Sequence, residues 1–178
     1  MTAQRGAAAV SVRALSKSFG PVRAVREVEF AVAPGEVFGL VGPDGAGKTT
    51  IMRMLAGVLR PDAGEIEVDG VDAGAEPELA KLRLSYMPQR FGLYEDLTVA
   101  ENIRFYGELF AVSPAERAQR SRELLDAAGL APFLRRLAGQ LSGGMKQKLG
   151  LICALIHTPR VLLLDEPTTG VDPVSRRE

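Results

Sequence analysis

From Gly42 to Thr50 the chain reads Gly-Pro-Asp-Gly-Ala-Gly-Lys-Thr-Thr, directly after the apolar run Val37-Phe-Gly-Leu-Val41. Glycines at 42, 45 and 47 let backbone N–H groups crowd against an anion with no Cβ in the way. A helix opening near Gly47 aims its positive end at the same anion. Lys48 then adds a charge that reaches the β- and γ-phosphates of a nucleotide, and Thr49 a hydroxyl for Mg²⁺. The plainer reading is a glycine-rich turn between a strand and a helix. The full Gly-x-x-x-x-Gly-Lys-Thr spacing behind a run of Val and Leu, expected as a buried strand, favours the phosphate loop.

Further along, Val161-Leu-Leu-Leu164 is followed by Asp165-Glu166-Pro167. Two carboxylates at the C-terminal end of an apolar strand have few structural uses. One can hold Mg²⁺ through water while its neighbour, pointing the opposite way, orients an attacking water. Leu141-Ser142-Gly143-Gly144-Met145-Lys146-Gln147 opens a helical run to Ile156, with Ser142 a good N-cap and the glycines permitting close backbone approach. Taken alone, a capped helix start is the plainer meaning. Gln89 ends the strand-like Ser85-Tyr-Met-Pro88, where ligands of open α/β sheets gather. Phe19 lies in a turn beside Gly20-Pro21, suited either to stack on a base or to cap a small sheet.

The elements that must position these residues change character along the chain. Ser11–Ser18 reads as an edge strand and Val22–Val32 as further short β runs closed by Ala33-Pro34-Gly35. The spacing predicts a helix over Thr49–Leu59, a strand over Glu65–Val71, a short helix over Pro77–Leu84 and a strand from Ser85 that ends at Pro88. From Thr98 to about Met145 the patterning is helical, opened by two capping boxes, Thr98-Val-Ala-Glu101 and Ser113-Pro-Ala-Glu116; the second helix stops at Gly129. The expected organisation is a frayed tail over 1–10, a nucleotide-binding α/β core over 11–97 and 141–178, and a helical lobe over 98–140.

Bulk properties narrow the partners. The 178 residues carry 22 basic and 22 acidic side chains, so no global field favours nucleic acid or anionic lipid. The single cysteine, Cys153, cannot form an internal disulfide, which suits a reducing compartment. No apolar run approaches a membrane span, and the start of the chain lacks the pattern of a secretory signal. A cytoplasmic protein is expected.

In this order and spacing the motifs resemble the nucleotide-binding subunits of ABC transporters, from Val12 to the end. Gly42–Thr50 matches Walker A, Gln89 the Q-loop glutamine, Leu141–Gln147 the signature, Val161–Glu166 Walker B with its catalytic glutamate, and Gly170–Pro173 the D-loop. Around Phe91–Asn102 the character is closest to ATPases of drug-efflux exporters. The resemblance implies an α/β P-loop NTPase of ABC type, with an antiparallel β subdomain and an inserted helical lobe. It implies ATP and Mg²⁺ as cofactors. Gly42, Pro43, Asp44, Gly45, Ala46, Gly47, Lys48, Thr49 and Thr50 would hold the phosphates and Phe19 the adenine. Ser142, Gly143 and Gly144 would act in trans, across a homo- or heterodimer of such subunits. Thr49, Gln89 and Asp165 would serve the metal, and Glu166 with Gln89 the hydrolysis. The lobe would dock on a transmembrane permease, holding the protein at the inner face of the membrane; Phe91, Leu93 and Tyr94 either meet that permease or pack under the lobe.

Two departures stand out. Asp44 replaces a common asparagine and adds negative charge beside the phosphates. The family's switch histidine follows the D-loop on a later strand, and the sequence given stops at Glu178. On the resemblance the chain is therefore expected to be C-terminally truncated, its central sheet incomplete. Its only histidine, His157, precedes the Walker B strand and reads as a helix C-terminal residue. The function expected is ATP binding and hydrolysis that powers export; the alternative is a nucleotide-binding fragment without turnover.

Overall fold

Val10, Val12 and Leu15 all point inward although Leu15 breaks a strict alternation, and a bulge reconciles them. Ala14 sits in the left-handed region (φ 46), and the ladder to the neighbouring strand shifts register between Val12 and Leu15. The computed structural model describes residues 8–89 and 91–167. These fall into two compact units, one within Met1–Tyr86 and Pro159–Leu163, the other within Met87–Thr158 and Leu164–Glu178.

The first unit carries a four-stranded antiparallel sheet in the order β2-β1-β3-β4, from β1 (Val10–Phe19), β2 (Val22–Val32), β3 (Ala63–Val68) and β4 (Val71–Asp72). β1 is thus not the edge strand that the sequence suggested. It pairs on both sides, and Val10, Val12 and Leu15 bury one face in a core shared with Ile51, Met54 and Leu55 of α1 (Lys48–Leu55). Gly64 lets β3 close on the bulge: a Cβ there would lie 2.5 Å from the Ala14 carbonyl. The tail expected over 1–10 gives way by Val10, which is buried in this core. The single strand expected over Glu65–Val71 is a hairpin, turned at Asp69-Gly70 where both φ are positive. Also shorter than expected, α1 ends at the Ala56-Gly57 turn.

The largest difference concerns Val37–Val41. The buried strand expected there carries no ladder among the described residues, and Val37 is 100% and Val41 96% exposed. Leu40 packs against this unit's core, and Phe38 stacks on Phe30 of β2 at 5.1 Å. A strand is made by its neighbours, and apolar character without a paired neighbour does not make one. After α2 (Pro77–Arg83), β5 (Leu84–Met87) pairs with β6 (Val161–Leu164). Arg160 N–H donates to Arg83 O at 2.8 Å and Asp165 N–H to Met87 O at 2.9 Å, an ascending order that makes the pair parallel.

The second unit is helical: α3 (Val99–Leu109), α4 (Pro114–Ala128) and α5 (Gly143–Leu155), with short 3₁₀ turns at Ala131–Phe133 and Ala138–Gln140. Both capping boxes form as spaced, each cap side chain accepting from the N3 amide and each N3 glutamate accepting from the cap amide. This unit runs wider than the lobe expected over 98–140. Leu149, Ile152, Cys153 and Ile156 of the α5 region share one core with Val99, Ile103 and Leu125, so α5 belongs with α3 and α4. Burial pushes the Cys153 thiol above its usual range, so it behaves as a small core hydrophobe.

Asn102 is the polar group that this core encloses, with 0% exposure. Its Oδ1 accepts from Tyr94 N–H at 2.9 Å, and its Nδ2 donates to the Tyr94, Leu97 and Thr98 carbonyls at 3.0, 3.3 and 3.0 Å. One side chain thereby closes the loop before α3. Asn102→Ala leaves buried backbone groups unpaired and is expected to cost about 3 kcal/mol. Urea unfolding should show a lower midpoint with an unchanged slope, and a loss below about 1 kcal/mol would show that the loop closes without it.

Candidate functional site

Gly47 caps α1 at φ 91 and ψ 5, and a Cβ there would run into the carbonyl of Ala24 in β2. No larger residue fits the close approach of loop and strand. Ala46 N–H bonds Pro43 O at 3.2 Å, and the helical ladder begins at Ile51 N–H to Gly47 O, 2.9 Å. The amides of Lys48, Thr49 and Thr50 precede that ladder, and the first turn holds no acidic residue. Lys48 Nζ curls back and donates to the Gly42 and Pro43 carbonyls at 2.8 and 2.9 Å, over the loop's mouth. Amides, a helix start and an ammonium converge there on a site suited to an oxyanion. Asp44 stands exposed on the loop.

Phe19 ends β1 and is 50% exposed, so it presents a face rather than filling a core. Lys17 Nζ lies 5.8 Å from its ring centroid and pairs with Asp62 at 2.7 Å. That hydrogen bond from Lys17, with a second from Ser18 N–H, holds the Asp62 carboxyl below the usual range.

In the second unit, residues far apart in sequence meet. Gln89 Nε2 donates to Glu166 Oε2 at 3.1 Å. Asp165 is 5% exposed whereas Glu166 is exposed, so the adjacent carboxylates face different surroundings. Glu166 lies at φ 51, a left-handed conformation that costs a non-glycine residue energy and gathers at functional positions. Ser142 caps α5, its Oγ accepting from Met145 N–H at 3.3 Å, with Gly143 and Gly144 in the first turn. Phe91 and Leu93 pack against the helical core, but Tyr94 is 48% and its edge-on partner Phe105 37% exposed. Phe91 and Leu93 therefore pack under the lobe, while Tyr94 keeps an exposed face. Tyr106, whose hydroxyl donates to Gly92 O at 2.7 Å, has its pKa pushed up to about 12 by burial. His157 lies just past the end of α5, its ring stacked on Phe110 at 3.7 Å. The D-loop expected at Gly170–Pro173 lies outside the described residues.

Sequence reasoning did not single out Glu95, which pairs with Lys146 in the first turn of α5 at 2.7 Å. Nothing in the local spacing marks a partner across that stretch of chain.

The ABC transporter family matches residues 25–169 of the chain. The chain belongs to that family. It is 53% identical over 173 residues to the probable multidrug ABC transporter ATP-binding protein YbhF of Escherichia coli, covering 96% of this chain and 30% of that protein. It is 42% identical over 170 residues to a daunorubicin resistance ATP-binding protein of Streptomyces coeruleorubidus, covering 96% of this chain and 54% of that protein. A solved structure of the ATP-binding subunit of an ABC transporter superposes with a TM-score of 0.85 at 32% identity, covering 94% of this chain and 70% of that one. The chain thus spans from under a third to about half the length of these curated relatives. Its fold is that of an ABC ATP-binding domain, an α/β P-loop fold with an antiparallel sheet and a helical region. Members of the family bind ATP and hydrolyse it.

Proposed function

We propose that the chain binds and hydrolyses ATP to power export of a substrate through a separate permease. The Gln89–Glu166 hydrogen bond carries this reading, since it joins two residues with no structural need of each other into a unit able to hold and polarise a water. Gly42, Pro43, Asp44, Gly45, Ala46, Gly47, Lys48, Thr49 and Thr50 cradle the triphosphate, and Phe19 stacks on the base. Ser142, Gly143 and Gly144 of a second subunit cover the terminal phosphate, so ATP holds a homo- or heterodimer closed. Glu166 takes the proton of the water that attacks the γ-phosphorus, Gln89 holds that carboxylate in place, and ADP departs with the bridging oxygen.

The hydroxyl of Thr49, the amide oxygen of Gln89 and the carboxylate of buried Asp165 are the hard oxygen donors that suit Mg²⁺. Such an ion, when bound, would supply charge neutralisation at the phosphates. Exposed Tyr94, Phe105 and Leu109 offer an apolar face to a transmembrane permease, which would hold the protein at the inner face of the membrane. No described helix is long and apolar enough to cross a membrane. The balanced charge supports a protein partner over nucleic acid.

Magnesium-ATP turnover by the whole protein reconstituted with its permease tests the proposal, and absent turnover beside normal nucleotide binding would sink it. That outcome belongs to a second reading, binding without turnover, favoured by exposed Val37 and Val41 just before the phosphate loop.

A further inference from the structure

Lys146 stands in the first turn of α5, where a cation faces the helix's own positive end, and that turn holds no acidic residue of its own. The carboxylate that meets it comes from Glu95: Lys146 Nζ donates to Glu95 Oε1 at 2.7 Å. The backbone around the pair is laced in the same sense. Gly139 N–H donates to Glu95 O at 3.0 Å, Ala138 N–H to Leu97 O at 2.8 Å and Val99 N–H to Arg136 O at 3.0 Å, and Thr98 bridges Leu137. A Cβ at Gly139 would lie 3.2 Å from the Glu95 carbonyl, so the two segments are in close contact. Asn102 closes the loop on its other side through Tyr94, Leu97 and Thr98. Ser142 follows three residues after Gly139.

We propose that Glu95 is a positioning residue, fixing the turn from Ser142 to Lys146 against the segment that follows Gln89 and thereby setting the affinity for ATP in the closed dimer. The proposal rests on the reading of Ser142–Gly144 as a phosphate-contacting turn. Two effects of the pair oppose each other. Glu95 partly cancels positive charge near the helix mouth, which weakens anion binding. It also holds the turn's amides in place, which strengthens it. The side chains are 32% and 66% exposed, so solvent screens the charge effect, whereas hydrogen-bond geometry to phosphate is lost with small displacements. Positioning therefore dominates.

The two effects separate cleanly in variants. Glu95→Ala and Lys146→Met remove the same tether but change the charge at the turn in opposite directions. Steady-state ATPase of the whole protein with its permease, together with hydrogen exchange of the nucleotide-free protein, tests the proposal. Each single variant is expected to raise KM for magnesium-ATP about fivefold with kcat changed less than about twofold, and the double variant to do no worse than either. Amide exchange at Met145 and Lys146 should quicken in all of them, while the thermal midpoint moves little. KM values that move in opposite directions, or unchanged KM and exchange beside normal turnover, would overturn the positioning role alone. Failure of the unsubstituted protein to bind or hydrolyse ATP would overturn the nucleotide reading, and this proposal with it.

Discussion

Lys48→Ala is expected to weaken magnesium-ATP binding about 100-fold while leaving the fold intact. Its ammonium donates to the Gly42 and Pro43 carbonyls in the ligand-free loop, at a partly exposed position where such bonds contribute about 1 kcal/mol or less to stability. Phosphate oxygens are far stronger acceptors than carbonyls, so binding exchanges bonds to neutral acceptors for bonds to an anion. Each of those is worth about 1.5–3 kcal/mol, the upper end of which converts to the stated factor. Calorimetric titration with magnesium-ATP measures it, with unchanged circular dichroism as the control. Retained affinity within about threefold would mean that the loop does not hold phosphate through this lysine. Asp44→Asn is the companion of opposite sign. Removing a carboxylate from an exposed loop beside the triphosphate should tighten binding by about two- to fivefold, less at high salt. One titration series in which the two substitutions move affinity oppositely would place the anion at this loop on charge grounds alone.

What was legible in the sequence was mainly what is local. The capping boxes at Thr98 and Ser113 and the stop at Gly129 depend on residues within a turn of each other, and each forms as spaced. The glycine turn that opens α1 was legible for the same reason, since Gly47 and Lys48 act through their own backbone and nearby carbonyls. Strand identity depends on neighbours. Val37–Val41 has the composition of a buried strand, yet no described strand lies alongside it to make it one. β1 looked like an edge because its apolar residues are interleaved with polar ones; the bulge at Ala14 lets Leu15 face the core while β1 pairs with both β2 and β3. Side-chain contacts between residues far apart in the chain lay further still from view. Gln89 and Glu166 were separately recognisable, but their bond, like that of Glu95 with Lys146, is a product of the fold and not of any spacing.

The bond between Gln89 and Glu166 makes the second large prediction specific. Glu166→Gln is expected to lower the ATPase rate about 1,000-fold, the range of a lost general base, while nucleotide affinity stays within a few-fold of the parent. The substitution keeps the length and shape of the side chain, and its amide oxygen can still accept from Gln89 Nε2, so the pair's geometry survives. Its lost ability is to take a proton. The strained φ of 51 serves as an internal control, because glutamine bears that conformation no better or worse than glutamate. Any fall in rate then reports chemistry and not relaxation of the backbone. Gln89→Ala removes the donor but leaves the base, so its loss should be smaller, about 10-fold, from a less well held carboxylate. Single-turnover hydrolysis under saturating magnesium-ATP separates the two, since it excludes product release and binding from the rate. If Glu166→Gln retained more than about a tenth of the parent rate there, the proton would have another acceptor, and the role of Glu166 would be structural.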